Sequence, residues 1–435
     1  MLSTDLIASE MHRNFNESIS KSSEDFFANC ETVLASTKFE KICLSPVYLN
    51  RAKIFNFSNS ILRLKRIIDS FPESVFNNDL RLMKKYYGFS DATEQILKLE
   101  GSIVPCPIFR PDCVLVGESL KILEFNIDSG CTNYSAGHFF GDILGMVGAE
   151  ETWGGEAFEN LLLSSFRMNE MFTSYLQKLA GDKPLVFWDV PRTVPFQVKG
   201  REAYLAMFKG ELSFSLFEVG TPATPGIYLQ NFFRYFSCNH FEKNSDQFLP
   251  YILEVLKNKP EHRNSLGFSS MIYDSKFNLA LLHDPMVRKK LCSSDLQLVD
   301  SLVPKTWYLR SGSSMPEDFL LNRNRYVMKR ASSFQGRDVL VGAGCTQEEW
   351  SSLYHEAIKN ENYILQEYID SSLPEMPFYD QEKGLFFVRP QSSCLLFHYV
   401  EEEFAGTSVR LGIHNAGVLS VIDHQKIFAS VGVLV

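Results

Sequence analysis

The stretch from Arg110 to Asp128 constrains the fold more than any other part of the chain. Val114-Leu115-Val116 is a short β-type run, Gly117-Glu118-Ser119 is a turn, and Leu120 to Asp128 alternates as a second strand. Two such runs joined by a short Gly-containing loop form a β-hairpin. With a three-residue loop, Val116 faces Leu120, Asp112 falls opposite Glu124, and Arg110 falls opposite Asn126. Alternation then puts Ile122, Glu124, Asn126 and Asp128 on one face and Leu123, Phe125 and Ile127 on the other. Opposed residues have Cβ atoms roughly 4.5–5.5 Å apart, so the two carboxylates repel unless a cation lies between them. An oxygen-only donor set of Asp112, Glu124 and Asn126 suits Mg²⁺, which keeps water and phosphate oxygens in its other positions. The loop length decides the pairing, because a two-residue loop puts Asp112 opposite Leu123 or Phe125 instead. Taken alone, the same residues also fit the polar face of an ordinary hairpin.

The chain has 435 residues, too many for one ordinary core, so two or three compact units are expected. With 45% hydrophobic and 22% charged residues it reads as a globular protein, and its 36 Phe read as core packing. A net charge of −9 with no Lys/Arg-rich run argues against a nucleic-acid partner. The nine Cys include no CxxC pair, which argues against zinc-ribbon and thioredoxin-like readings and points to reduced thiols in a cytoplasmic protein. Met1-Leu2-Ser3-Thr4-Asp5 lacks a basic start leading into an apolar stretch, so no signal peptide is expected. No apolar run reaches the ~18 residues of a membrane span.

Residues 1 to about 100 read as helical, with Ile61, Leu64 and Ile68 on one face and Ser90 capping a helix that carries Ile96, Leu97 and Leu99. Residues 155–180 read as helix and Leu185–Asp189 as a strand opening an α/β region. Farther on, Lys276 to Leu282 starts a helix, and Pro304-Lys305-Thr306-Trp307 leads into a strand. Tyr326–Lys329, Asp338–Val341 and Tyr363–Ile369 read as strands, and Thr346-Gln347-Glu348-Glu349 as a capping box opening a helix to about Lys359. The loop after Lys329 carries Ser332, Ser333, Gly336 and Arg337, donors that can lie over phosphates, although the Walker A spacing is absent. An ordinary hairpin turn is the competing reading of that loop. Ile427–Val435 reads as a terminal strand.

Several of these segments together resemble glutathionylspermidine synthase and its circularly permuted ATP-grasp relatives. The hairpin, Arg110-Pro111-Asp112 through Lys121-Ile122-Leu123-Glu124-Phe125-Asn126-Ile127-Asp128, resembles that family's metal-binding stretch. Asp274-Ser275-Lys276 resembles the segment of one ATP lysine, and Tyr326–Lys329 through Gly342 the phosphate-covering segment. Tyr363–Ile369 resembles the strand against adenine, and Gly406-Thr407-Ser408-Val409-Arg410 a C-terminal G-T-x-x-R element. The order, metal hairpin before nucleotide lysines, is the permuted one. Three departures stand out: a single Gly in the phosphate loop, Arg330 where the family has Pro, and Asp128-Ser129-Gly130 in place of an acidic-Thr/Ser-Pro turn.

The resemblance implies an α/β (α+β) ATP-grasp fold, circularly permuted. It divides the chain into an N-terminal helical region (1–104), a metal- and substrate-binding α/β region (105–270) and an ATP-binding region (271–435). It implies ATP and Mg²⁺ as cofactors, with Asp112, Glu124 and Asn126 on the metal. Lys276, Lys329, Ser332, Ser333, Gly336, Gln366, Glu367 and Ile369 would sit on the nucleotide, and Arg110 and Arg410 would be catalytic. The implied activity joins a small-molecule carboxylate to an amine through an acyl phosphate, releasing ADP and phosphate. A phosphotransferase of the same fold and an inactive ATP-binding module are the alternatives. The identity of the acid and amine, the oligomeric state and any part for His138 or Cys131 stay open.

Overall fold

The structure is a computed structural model that describes residues 41–43, 47–128, 155–191, 201–202, 204–206, 208–219, 231–257, 267–313, 315–333, 338–370, 373–380, 385–413 and 427–434. Its strands, in chain order, are β1 (Lys41–Cys43), β2 (Val47–Leu49), β3 (Ile108–Val116), β4 (Ser119–Asn126), β5 (Leu185–Asp189), β6 (Phe214–Glu218) and β7 (Phe232–Arg234). They continue with β8 (Thr306–Leu309), β9 (Tyr326–Arg330), β10 (Val339–Val341), β11 (Tyr363–Glu367), β12 (Leu373–Asp380), β13 (Leu385–Val400), β14 (Glu403–Ile413) and β15 (Ile427–Leu434).

Among the described residues these strands form three sheets, which together with the helices make an α/β protein. The largest runs β12-β1-β15-β14-β13-β3-β4, with β2 beside β15 and β12 also paired to β13. The β3–β4 hairpin is therefore not isolated: β3 pairs antiparallel with β13, Asp112 opposite Leu396. A second sheet runs β10-β9-β11-β8, and a third, all-parallel one runs β6-β5-β7. No helix among the described residues is long and apolar enough to cross a membrane.

The N-terminal stretch is not helical throughout. β1 and β2 pair with β15, so chain near the two ends is joined in one sheet. The helices that follow form as their patterns predict. Asn50 caps helix Arg51–Asp69, whose Ile54, Ile61, Leu64 and Ile68 are buried, and the Ser90 side chain accepts from the Thr93 N–H at the start of helix Asp91–Glu100. Lys65 departs from the pattern: it is buried among these apolar residues, paired with Asp69 and lying over the rings of Phe109 and Tyr273. The capping box at Thr346 is present in full, with Thr346 accepting from Glu349 N–H and Glu349 reaching back to Thr346 N–H. The helix runs to Asn360, closing over β11 and β8.

The third sheet is where aromatic residues concentrate. Phe187 on β5 meets Phe208, Phe214 and Phe233 at ring-centroid distances of 5.7, 5.3 and 5.7 Å. Such rings bury large apolar areas and lock one another by edge and face contacts. Among the described cysteines, Cys106, Cys113, Cys238 and Cys394 are buried thiols and none forms a disulfide.

The hairpin itself differs from the simplest expectation. Its loop is two residues, Gly117-Glu118, with Val116 paired to Ser119 and Leu115 to Leu120. Gly117 has φ of 56°, the first central position of a II′-type turn, which strongly favours glycine. A two-residue loop alone would move Asp112 away from Glu124. A β-bulge undoes that shift: Cys113 pairs with Ile122 while Asp112 pairs with Glu124, so Leu123 is the extra residue. The bulge also reverses the alternation. Leu120 and Ile122 are buried before it, and Phe125 and Ile127 after it, leaving Glu124 and Asn126 together on the site face. The expected grouping of Ile122 with Glu124 is thus corrected, because the bulge inverts which parity faces the core.

Candidate functional site

The site face is built by pairing across four strands, β4, β3, β13 and β14. Arg110 pairs with Asn126 and Asp112 with Glu124 in the hairpin, Leu396 of β13 pairs with Asp112, and Cys394 of β13 pairs with Arg410 of β14. Directly paired residues and residues two apart share a face, so Arg110, Asp112, Glu124, Asn126 and Arg410 all project the same way. Asp112 is buried and heavily engaged. Its Oδ1 accepts from Arg110 Nε at 2.8 Å and from Asn126 Nδ2 at 3.0 Å, and its Oδ2 from Arg410 Nη1 at 3.4 Å.

The second sheet supplies the opposing side. Lys329 on β9 donates to the Leu123 carbonyl at 3.2 Å and to Gln366 Oε1 at 2.7 Å. Lys276 precedes helix Phe277–His283, and its backbone N–H bonds to the Ala331 carbonyl just beyond β9. Its ammonium lies 3.2 Å from Glu124 Oε2 and donates to the Ser333 carbonyl at 2.9 Å. Residues from five distant segments therefore meet: 110–126, 276, 329–333, 366 and 410.

Electrostatics follow from this crowding. Burial opposes ionisation of Glu124, yet Lys276 and Lys329 outweigh it and hold the carboxyl down at about 2. Burial lowers Lys329 to about 8, with Glu124 working against the shift and Lys276 with it. Nearby, burial and Asp128 push the Asp274 carboxyl up to about 7 while it accepts the Ile127 N–H at 2.7 Å. Four basic side chains, Arg110, Lys276, Lys329 and Arg410, surround two carboxylates, Asp112 and Glu124. The cluster carries a formal surplus of two positive charges, so it can hold a polyanion. The cation that two opposed carboxylates require is here supplied by the protein's own side chains.

A divalent ion fits part of the expected donor set. Glu124 is partly exposed, and Asn126 turns its Nδ2, not its Oδ1, toward Asp112 and Glu124. Rotating that amide by half a turn would present Oδ1 alongside Glu124. Asp112 fits less well, because it would have to share oxygens already held by Arg110 and Arg410. No group of three His, Cys, Asp or Glu residues gathers for a metal among the described residues, so an ion here would take most of its ligands from water or a phosphate ligand.

The other expected residues divide. Ser333 lies beside the site through its carbonyl, while its hydroxyl donates to the Arg330 carbonyl. Ser332 is exposed. Glu367 caps β8 from the next strand, its carboxylate accepting the Lys305 N–H at 3.3 Å, and Ile369 lies past the end of β11. Gly336, Arg337, His138 and Cys131 lie outside the described residues. Two participants escape sequence reading. Thr306 receives Gln366 Nε2 at 3.1 Å, and the Leu123 carbonyl enters the site only through the bulge. Thr306 had one available signal, a hydroxyl on a strand among apolar neighbours; Leu123 had none.

No protein-family profile matches the sequence, and no curated protein matches it. Among solved structures, the chain is similar to a glutathione synthetase like-effector from Globodera pallida in its apo form. The TM-score is 0.55 at 11% identity, covering 94% of this chain and 96% of that one. A putative gamma-glutamylcysteine synthetase from Methylobacillus flagellatus aligns with a TM-score of 0.38 at 10% identity, covering 86% and 87% of the two chains, too distant to carry an argument. At these identities the first likeness is one of fold.

Proposed function

We propose that the chain is an ATP-dependent carboxylate–amine ligase of the circularly permuted ATP-grasp kind, forming an amide through an acyl phosphate and releasing ADP and phosphate. The observation that carries this reading is the convergence of Lys276 and Lys329 on Glu124, at the mouth of a cluster with surplus positive charge. The order of hairpin and lysines along the chain supports the permuted arrangement, and the fold likeness to a glutathione synthetase like-effector supports a synthetase frame. In this reading 1–104, 105–270 and 271–435 are functional stretches rather than separate cores, since β3 and β13 share one sheet.

The residues then divide the work. Lys276 and Lys329 hold phosphate oxygens, with the Ser333 carbonyl beside Lys276. Glu124 and, after an amide turn, the Asn126 oxygen would hold Mg²⁺, with Asp112 contributing only if its arginines yielded. When bound, Mg²⁺ neutralises phosphate charge and orients the transferring group. Arg410, partly exposed at the rim, offers donors to the developing oxyanion, while Arg110, buried against Asp112, holds that carboxylate in place. These groups position charged reactants and require no covalent enzyme intermediate.

The test is a screen of carboxylate and amine pairs with ATP and Mg²⁺, followed by nucleotide chromatography and mass spectrometry of products. Amine-dependent ADP release with a condensed product is expected. Amine-dependent AMP formation overturns the reading, and amine-independent ADP release with a phosphorylated product replaces it by phosphotransfer.

A further inference from the structure

Three strands of the second sheet carry a polar chain through an otherwise apolar layer. Thr306 on β8 pairs directly with Gln366 on β11, which pairs with Val327 on β9, and Lys329 lies two residues on from Val327. All three polar side chains share one face, with Lys329 at the diagonal distance that long side chains span. Gln366 is 0% exposed, Thr306 1% and Lys329 7%, so none is solvated at the expense of these bonds.

The hydrogen bonds have a fixed direction. The single hydroxyl proton of Thr306 goes to the Pro304 carbonyl at 2.8 Å. Its oxygen can then only accept, and it accepts from Gln366 Nε2 at 3.1 Å. That sets the Gln366 amide, turning Oε1 toward Lys329 Nζ at 2.7 Å; the flipped amide would face an NH₂ against an ammonium. The Leu123 carbonyl, placed by the bulge, accepts a second ammonium proton at 3.2 Å. An ammonium has three donors, so one N–H remains for a ligand.

We propose that Thr306, Gln366 and the Leu123 bulge form a positioning clamp that aims the third N–H of Lys329 into the site, and that Gln366 acts through Lys329 rather than by touching a nucleotide base. The nucleotide part rests on the function proposed above; the clamp itself rests on the bonds just given. A flexible lysine stem loses conformational freedom when it grips a ligand, and a lysine already held by two acceptors has less to lose.

The first experiment needs no nucleotide. Lys329 is labelled by an amine-reactive ester and its modification rate read by mass spectrometry in the wild type, Thr306→Ser, Thr306→Val and Gln366→Met. Losing a bond to a charged group should speed labelling by about tenfold in Gln366→Met, and by about threefold in Thr306→Val, whose amide is free to turn. Thr306→Ser, which keeps the hydroxyl, should match the wild type and controls for folding along with thermal melts. Equal rates in all four folded proteins overturn the clamp. The second experiment measures ATP and GTP affinity by calorimetry. Gln366→Met should weaken both by about tenfold, equally, and have no further effect in a Lys329→Ala background. A loss confined to ATP, or one that persists without Lys329, overturns action through Lys329. Absence of nucleotide binding by the wild type would sink the nucleotide function and leave the labelling rates to decide the clamp.

Discussion

Two buried charge clusters flank the outgoing strand of the hairpin, and they are built on opposite principles. At one end, Asp128 and Arg234 form an ion pair 2.7 Å apart with 1% and 0% side-chain exposure. Asp128 also accepts from Cys238 N–H and Ser270 Oγ, and Arg234 donates to Phe236 O and Ser270 Oγ, with the rings of Phe236 and Phe268 beside it. At the other, Asp112 and Glu124 face four cations, and the cluster opens through Glu124 and Arg410. A balanced, sealed pair does structural work, here tying the hairpin to the aromatic third sheet. An unbalanced, open cluster leaves charge that a ligand can satisfy. Charge alone does not mark a site; unsettled charge does.

The largest expected effect falls on the sealed pair. Arg234→Met strands Asp128 without its cation and should lower unfolding free energy by about 3–5 kcal/mol, read from denaturant melts. Asp128→Leu combined with Arg234→Met should recover much of that. If the single change leaves stability intact, the distinction between the clusters fails.

Next comes Lys329→Ala, expected to cut turnover about a hundredfold and weaken ATP binding with it. Its melting temperature should fall far less than that of Arg234→Met, because burial already disfavours the charged lysine and lowers it to about 8. Wild-type turnover and ATP affinity in the folded variant would remove Lys329 from the chemistry.

Glu124→Gln sharpens the comparison, because the geometry sets its sign. Two opposed carboxylates alone would predict that removing one charge stabilises the fold. Here Glu124 is held by Lys276 and Lys329, with its folded pKa at about 2 against an ordinary value of 4.5. A depressed carboxyl contributes stability above its unfolded pKa and loses it as pH falls toward its folded one. The variant should therefore be less stable than the wild type by about 1–3 kcal/mol at neutral pH, a deficit that fades between pH ~4.5 and ~2. Urea melts across that range check it, and a constant deficit would mean that the lysines do not hold the group. Activity at limiting Mg²⁺ should fall in the same protein.

The smallest effect lies away from both clusters. Thr346→Ala removes one half of the capping box and should cost about 1 kcal/mol with no change in nucleotide affinity.

The sequence carried local structure well. Ser90 and Thr346 announce their helices because a cap is satisfied within four residues. Leu185–Asp189 and Tyr326–Arg330 announce strands by β-type composition. The third sheet beyond Asp189 was poorly legible, because buried parallel strands lack alternation and the aromatic contacts of Phe187 come from residues up to tens of positions away. Of the candidate site, Asp112, Glu124, Asn126, Lys276, Lys329 and Arg410 were legible as residues, and the structure brings them together. Gln366 reads, by resemblance, as a nucleotide contact on a strand; its bonds to Thr306 and Lys329 were not legible.

What the sequence by itself determined is which elements form and which charged residues they carry, since caps, turns and periodicity act over a few residues. Tertiary structure alone decided the rest. A bulge at Leu123 restored a pairing that the two-residue turn would have broken, because pairing with β13 and burial of Phe125 and Ile127 outweigh a regular ladder. It also decided that Arg110 and Arg410 close on Asp112, and that Lys329 is met by Gln366 and the Leu123 carbonyl. Apart from Arg110–Asp112, two positions apart, those bonds join residues tens to hundreds of positions apart, and a charged side chain's partner is set by whichever surface folding brings within its reach.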